Sequence, residues 1–350
     1  MIYHKPLKIK DGDLIKSATV ENNQIFILAR QAVYYFFKNS EKRRILLPGY
    51  LPEGVYFPFS ELGFKKMYYA VGSDFSLPDD FPGSRSADDT IIYYIHHFGL
   101  YNQKNIDKLK QLKSQGYYIV EDRALTLPSA DADYFGDATV YSYNKMLGVP
   151  HGGTIISDIN TEDYSLEKNS AAEELKSYLS LRMNLFCRSG IKLMPQLFFR
   201  LYNKIAWKFI NRKANNLSHW LPATGLADSA IVHLIQNLDF QSISEKIIYN
   251  AGYLFDNIRP VLRLVPDRRM YTRQAITGFP IIVDDPQDLQ KYLMKNGIHG
   301  FSLRQGWRPA QNASKWDYFD KHFLLPVHND LSKKDLKKIV RVVNAYKNAR

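Results

Sequence analysis

The sequence places a lysine three residues after a serine, just behind an apolar stretch. This spacing allows the two side chains to act on one ligand. Ser142 and Lys145 lie in a segment that closes with the pair Gly152-Gly153, and upstream of it an apolar run ends in Asp122. A lysine amine forms a Schiff base with an aldehyde, a serine hydroxyl binds phosphate, and an aspartate pairs with a protonated pyridine nitrogen. These residue types together predict a pyridoxal phosphate site.

Apolar runs of strand length alternate with helical patterns in the first half of the chain, which predicts a mostly parallel sheet. Ligands of such sheets bind at the carboxyl ends of the strands, and Asp122 and Lys145 both follow predicted strand ends. The predicted strands are 44–47, 66–71, 90–96, 117–120, 138–143 and 153–157, with helices within 25–38 and 105–113.

The second half of the chain predicts a smaller domain with its own strand and helices. A helix over 227–254 leads into a strand at 277–283 and helices at 288–296 and 332–346, the last capped by Ser332 with Asp335 at the capping-box position. We therefore predict a large domain over 1–245, with a basic helical insertion at about 173–220, and a small C-terminal domain over 246–350.

The charge is strongly positive, +12 from 47 Lys and Arg against 35 Asp and Glu. Nine of the basic residues lie between 176 and 213 with no acidic residue among them. Such a stretch is typical of solvated helix faces, and with the apolar stripe within 193–210 it also allows weak association with an acidic membrane surface. No pattern for nucleic-acid binding and no metal-ligand spacing is found.

A single cysteine, Cys187, excludes an internal disulfide and favours a cytoplasmic location. The first residues lack the apolar core of a signal peptide, and no run approaches the roughly 20 apolar residues of a membrane span.

Four segments, taken in order, resemble motifs of the DegT/DnrJ/StrS family of sugar aminotransferases, which are pyridoxal-phosphate enzymes of fold type I. The segments are Ile95-His-His-Phe-Gly99, Ile119-Val-Glu-Asp-Arg-Ala124, the stretch 136–153, and Leu324-Leu-Pro-Val-His328. The resemblance implies an α/β fold: a large cofactor-binding domain with a mostly parallel central sheet flanked by helices, and a smaller α+β C-terminal domain. It also implies a homodimer that transfers an amino group, typically from glutamate, to a keto-sugar nucleotide.

The family's cofactor-binding roles carry over onto matching positions. Lys145 would form the Schiff base, Asp122 would bind the pyridine nitrogen, and Ser142 would bind the phosphate. Arg30 and Gln31 stand where the family has a phosphate-binding "G-T-x-A-L" at a helix start. His96 or its neighbour would face the cofactor.

The chain also departs from the family pattern. Leu125 replaces a Gln or His that normally bonds the cofactor hydroxyl, so Thr126 or a histidine would have to supply that bond. The segment Pro48–Pro52 aligns only loosely with the aromatic ring-stacking segment of the family. The spacing from Ser142 to Lys145 is shorter than is common there.

Substrate-binding candidates lie in a polar stretch of the second domain. Arg304, Trp307 and Arg308 are suited to clamp a carboxylate or a phosphate through bidentate hydrogen bonds, and His328 falls on the closing family motif. Two alternatives stay open beside a sugar aminotransferase: a pyridoxal-phosphate enzyme of another reaction type, such as a dehydratase, and a non-catalytic relative that binds a nucleotide or lipid-linked ligand.

Overall fold

The computed structural model describes residues 24–82, 86–129, 132–147, 149, 152–157, 226–227, 229–301, 307–309 and 321–347. The predicted basic insertion at about 173–220, with the stretch on which the membrane-surface prediction rests, lies outside these residues. Within them, no helix is long and apolar enough to cross a bilayer.

A six-stranded sheet forms the centre of the described structure, in the order β3-β1-β4-β5-β6-β7. The first five strands in this order run parallel, and β7 is antiparallel to β6. The strands are β1 (Arg44–Pro48), β2 (Tyr50–Pro52), β3 (Lys65–Tyr69), β4 (Thr90–Ile95), β5 (Tyr118–Asp122), β6 (Ala138–Ser142) and β7 (Gly153–Ser157), of which β2 lies outside this sheet.

Helices cover both faces of the sheet. The described helices are α1 (Ala29–Phe37), α2 (Glu53–Glu61), α3 (Gln103–Ser114), α4 (Tyr143–Met146), α5 (Ser229–Gln236), α6 (Phe240–Asn257), α7 (Arg268–Thr272), α8 (Pro286–Lys295) and α9 (Lys333–Asn344). Val33 of α1 and Phe59 of α2 pack with Tyr93 on one face. Ile106 of α3 packs with Ile92 on the other. Successive strand residues therefore point to opposite, separately packed layers.

Two smaller sheets complete the described structure. β8 (Phe279–Ile282) pairs antiparallel with β10 (His322–Leu325), and β2 pairs antiparallel with β9 (Trp307–Pro309). The second pair joins residues 307–309 to the chain that leaves β1.

Polar side chains cap several helix starts in the described structure, and the sequence predicted one of these caps. The Ser332 hydroxyl accepts a hydrogen bond from the Asp335 N–H, and the Asp335 carboxylate accepts one from the Ser332 N–H, so the predicted capping box of α9 is confirmed. The single helix predicted over 227–254 is wrong. It is divided into α5 and α6, because the Asp239 carboxylate accepts from the Ser242 N–H and starts a new helix.

The predicted fold class is confirmed: a mostly parallel central sheet flanked by helices, with a separate small antiparallel sheet that fits a C-terminal α+β domain. The sequence did not predict the helices α2, α4 and α7 or the strands β2, β9 and β10. The domain boundary near residue 245 stays a prediction.

Candidate active site

The candidate residues meet at the carboxyl edge of the parallel sheet. Asp122 is the last residue of β5, Ser142 is the last residue of β6, and Lys145 lies in the short helix α4 that follows β6. Arg30 lies in the first turn of α1. Neighbouring parallel strands end at the same edge, so the sheet brings together residues that are far apart in the sequence.

Two donors fix the Asp122 carboxylate. The backbone N–H of Ala124 donates to Oδ1 at 2.9 Å, and the Tyr93 hydroxyl donates to Oδ2 at 2.9 Å. The side chain is almost wholly buried. Burying a carboxylate costs free energy unless donors replace its bonds to water, and these two donors do so. Asp122 therefore presents its remaining lone pairs in a set direction.

The charges of Asp122 and Arg30 both affect the pKa of the Lys145 amine. Burial lowers the pKa of Lys145 below its ordinary value, the Asp122 carboxylate raises it, and the Arg30 guanidinium lowers it. The lysine nevertheless keeps exposed surface. Neighbouring protein atoms thus surround the amine although part of the side chain is exposed. Such an amine has a larger neutral, nucleophilic fraction at neutral pH than a surface lysine.

The start of α1 is held against the glycine pair at the end of the candidate segment. The N–H of Gly152 donates to Ile27 O at 2.9 Å, and Gly153 exchanges two backbone hydrogen bonds with Phe26. A Cβ on Gly153 would lie 2.1 Å from the Ala29 nitrogen, so only glycine allows this approach. Gly152 has a φ of +136°, which L side chains rarely adopt.

Arg30 is half-buried beside the helix start of α2. Its Nη1 would lie 3.6 Å from a Cβ placed on Gly54, and burial lowers the pKa of Arg30 to about 10. A guanidinium in such a place remains charged at neutral pH and suits an anionic ligand. The first turn of α1 adds a favourable dipole for the same anion.

Ser142 and Gln31 have local partners. The Ser142 hydroxyl donates to Asn144 Oδ1 at 2.8 Å, and Gln31 Oε1 accepts from the Leu28 N–H at 3.0 Å. Ser142 ends β6 just before the helix that carries Lys145, and its role as a phosphate ligand stays a prediction. The Gln31 oxygen instead caps α1, so the contribution of Gln31 is to hold the helix start.

The structure directs His96 away from Lys145. Its Nε2 lies 3.3 Å from Glu121 Oε2, and Glu121 also accepts from Arg123 Nε at 2.8 Å and from the N–H groups of Phe135 and Gly136. Glu121 precedes Asp122 on β5, so its side chain points to the opposite face of the sheet. His96 therefore joins a buried ion-pair network behind the site.

That network holds the charge of Glu121. Burial acts to raise the pKa of Glu121, but the hydrogen bond from His96 and the charge of Arg123 outweigh it and hold the pKa at about 2. Arg123 also donates to Gln274 Oε1 at 2.8 Å, and the Gln274 amide donates to Gly99 O at 2.7 Å. The network thus ties β5 to the segment before β8.

His97 packs within an aromatic group. Its ring stacks on Tyr50 at 5.7 Å and on Phe75 at 5.1 Å, and its Nε2 lies 2.8 Å from Tyr50 O. Burial lowers the pKa of His97 to about 4, so the imidazole is neutral at neutral pH and Nε2 donates to the carbonyl. Tyr50 belongs to the segment that aligns loosely with the family's ring-stacking residues. In this structure its ring stacks on His97.

The substrate candidates are only partly within the described residues. Arg304 lies outside them. Trp307 and Arg308 belong to β9, whose backbone pairs with Pro52 and Leu51 of β2, but their side chains are not among those described. The carbonyl of His328 accepts from Asn250 of α6 at 2.8 Å, which places this residue against α6. A substrate role for these four residues stays a prediction.

Two residues near the site, Tyr93 and Thr277, were not predicted from the sequence. Tyr93 reaches Asp122 because β4 and β5 pair with Ile95 opposite Asp122, which puts residue 93 on the same face two positions back. Thr277 donates its hydroxyl to Lys145 O at 3.3 Å and its N–H to Leu125 O at 3.2 Å. The alternation of side chains between the two faces of β4 could have indicated Tyr93, because residues 93 and 95 lie on the same face. No local signal marked Thr277.

Thr126, considered as a substitute for the bond lost at Leu125, donates its hydroxyl to Arg123 O at 3.2 Å. Leu125 itself is buried. Thr277 instead places a hydroxyl beside Lys145 and Leu125.

The donor set fits pyridoxal phosphate. It combines an amine for the aldehyde, a carboxylate for the pyridine nitrogen, and a guanidinium with a helix start for the phosphate. Among the residues that the structure describes, no group of three or more His, Cys, Asp or Glu side chains is placed to hold a metal ion.

Comparison with known proteins identifies the fold. No protein-family model matches the sequence, and a comparison with curated protein sequences finds no match either. Solved structures match over nearly the whole chain. A putative sugar aminotransferase, Spr1654 from Streptococcus pneumoniae in its PMP form, has a TM-score of 0.60 at 13% identity and covers 97% of this chain and 96% of its own.

Two further structures agree with that match. A DegT DnrJ EryC1 StrS aminotransferase from Brucella abortus has a TM-score of 0.57 at 15% identity, covering 93% of this chain and 85% of its own. The structure of DesI in the presence of its TDP-sugar product has a TM-score of 0.59 at 13% identity, covering 93% and 81%. The chain therefore has the fold of these aminotransferases.

Proposed function

We propose that the chain is a pyridoxal-phosphate aminotransferase that moves an amino group from an amino acid, glutamate in our assignment, to a keto-sugar nucleotide. The observation that carries the proposal is the arrangement of Asp122, Ser142 and Lys145 at the carboxyl edge of the sheet, where the charges of Asp122 and Arg30 both act on the Lys145 amine. The fold shared with sugar aminotransferases supports the class of reaction, and the TDP-sugar product of DesI supports the class of acceptor. Surface-polysaccharide or amino-sugar biosynthesis is the pathway that this chemistry would serve.

Each residue of the site has a role in this proposal. Lys145 Nζ would bind the cofactor covalently and, once released, take the proton from the α-carbon of the donor. Its lowered pKa favours the neutral amine that this step requires. Asp122 would accept a hydrogen bond from the protonated ring nitrogen. When bound, pyridoxal phosphate supplies an electron-withdrawing ring that stabilises negative charge on the substrate carbon.

The phosphate would lie between α1 and the β6–α4 turn. Arg30 and the first turn of α1 would bind it, with Ser142 on the other side. The glycine pair brings the two sides within backbone contact, which favours a ligand that needs donors from both. Arg304, Trp307, Arg308 and His328 remain our candidates for binding the substrates. We further propose a cytoplasmic homodimer.

The first experiment is attachment of the cofactor to Lys145. Purified protein would be incubated with pyridoxal phosphate, reduced with borohydride and digested, and the modified peptide identified by mass. We expect modification at Lys145 in the wild type and none there in Lys145→Ala. Lys246→Ala, at an exposed position of α6, is the matched control and should be modified at Lys145 like the wild type.

The second experiment tests the reaction. Wild-type protein loaded with the cofactor would be mixed with each of several amino acids, and the keto acid product measured, before keto-sugar nucleotides are offered as acceptors. Formation of 2-oxoglutarate from glutamate is the expected result. Attachment at Lys145 without keto acid from any donor would favour the other reaction types, which the apolar Leu125 beside the site already suggests. Absence of attachment would favour a non-catalytic binding protein.

A further inference from the structure

A fully buried tyrosine stands behind the carboxylate of the candidate site. Tyr93 lies in the middle of β4, is 2% exposed, and donates its hydroxyl to Asp122 Oδ2 at 2.9 Å. Its ring packs edge-on against Phe59 with centroids 5.6 Å apart, and its carbonyl accepts from the Tyr69 hydroxyl at 3.1 Å. The phenol is therefore held in place by both its ring and its backbone.

The hydrogen bond can run in one direction only. An ionised carboxylate has no proton to give, so the tyrosine must be the donor. Burial and the neighbouring charge of Asp122 raise the pKa of Tyr93 well above its ordinary value, so the phenol stays protonated over the whole working range of pH. Asp122 therefore has a permanent donor on Oδ2 and the Ala124 N–H on Oδ1.

These two donors affect where a shared proton resides. A buried carboxylate without partners takes up a proton readily, because burial disfavours its charge. Donors on both oxygens stabilise the charge and prevent rotation of the carboxylate group. A pyridine N–H facing this carboxylate would then keep its proton on the ring nitrogen.

We propose that Tyr93 is a positioning residue that donates to Asp122 and fixes the orientation of its carboxylate, so that the proton between Asp122 and a bound pyridine ring stays on the ring nitrogen. This inference rests on the proposed function. It goes beyond it by assigning a role to a residue of the strand core that the motif segments do not include. A purely structural tyrosine would serve the fold without any preference for a ligand with a ring nitrogen.

Tyr93→Phe is the test variant, because it removes one oxygen and keeps the ring. Binding would be measured for pyridoxal phosphate and for its 1-deaza analogue, in which a carbon replaces the ring nitrogen. We expect Tyr93→Phe to weaken pyridoxal phosphate binding about five- to tenfold, the scale of the net contribution of one ordinary hydrogen bond, because the lost bond is made to Asp122 and not to the ligand itself. Binding of the deaza analogue should change by less than about twofold, since it has no nitrogen to pair with Asp122.

Tyr94→Phe is the matched control. It removes the same atom from the next residue of β4, on the opposite face, where the hydroxyl accepts from Asn105 Nδ2 at 3.2 Å. Both ligands should bind Tyr94→Phe with an unchanged ratio of affinities. The ¹⁵N chemical shift of labelled pyridoxal phosphate gives a second measurement, and Tyr93→Phe should move it toward the unprotonated value.

The outcomes separate the two proposals. If the wild type binds neither ligand, the proposed function fails. If the wild type binds both and Tyr93→Phe weakens both equally, or neither, or leaves the ¹⁵N shift unchanged, the role of Tyr93 is refuted while the proposed function stands. In the Asp122→Asn background the selective effect of Tyr93→Phe should vanish, because the group through which it acts is gone.

Discussion

Gly153→Ala is expected to disrupt the site without touching any charged group in it. The new Cβ would lie 2.1 Å from the Ala29 nitrogen and 2.4 Å from its Cα, whereas real Cβ contacts essentially never fall below 3.0 Å. Backbone atoms cannot rotate away as side chains can, so the start of α1 must move by about 1 Å. Overpacking of this kind costs about 1–3 kcal/mol of the free energy of unfolding.

The displacement should also reach the ligand. The same glycine pair is hydrogen-bonded to Phe26 and Ile27, so the segment leading into α1 and Arg30 moves as one piece. A misplacement of about 1 Å at a binding group can reduce activity about 100-fold. We therefore expect Gly153→Ala to lose most of its affinity for pyridoxal phosphate as well as stability.

Urea unfolding and ligand titration would measure the two effects separately. Gly54→Ala is the control, since its Cβ would meet only Arg30 Nη1 at an ordinary 3.6 Å. We expect this control to behave like the wild type in both assays. Wild-type stability and wild-type affinity in Gly153→Ala would refute the argument that close contact with Gly153 places the start of α1.

The remaining predictions concern charge. In the protein without ligand, the rate at which an amine-selective reagent modifies Lys145 should reach half its maximum below pH 10.5, the ordinary lysine value; Asp122→Asn should move this midpoint lower and Arg30→Met should move it higher, since these groups respectively raise and lower the lysine pKa. Equal midpoints in all three proteins would contradict the proposed proximity of the charges. Arg123→Met should destabilise the protein by about 3–5 kcal/mol in urea unfolding, because it leaves Glu121 buried with its main counter-charge removed. In the wild type, stabilisation by Glu121, whose pKa falls from 4.5 to about 2 on folding, should be complete above pH 4.5 and be lost as the pH falls toward 2.

The order of the site along the chain could be predicted from local patterns. Asp122 and Lys145 follow apolar strands, and alternating strands and helices imply a parallel sheet whose carboxyl edge gathers them. Helix caps were also predictable, as with Ser332 and Asp335, because the atoms involved are three residues apart. Each of these features depends on contacts within a few residues or on the periodicity of one element.

Features that depend on register or on two distant segments could not be predicted. The direction of His96, toward Glu121, follows from which side of β5 packs under α1 and α2. The division of 227–254 at Asp239 is a borderline case, since an aspartate in a helical pattern is compatible with either a cap or a surface position.

The sequence by itself determined the fold class, the alternation of the main strands and helices in the first half of the chain and the residue types of a pyridoxal-phosphate site, since these depend on periodicity and on spacing along the chain. The tertiary structure decided which side chains share the site. Tyr93 reaches Asp122 through the register of β4 with β5, Thr277 reaches Lys145 across 132 residues of chain, and Gly153 admits the start of α1. These contacts arise from how strands pair and helices pack, and no segment of sequence contains both partners.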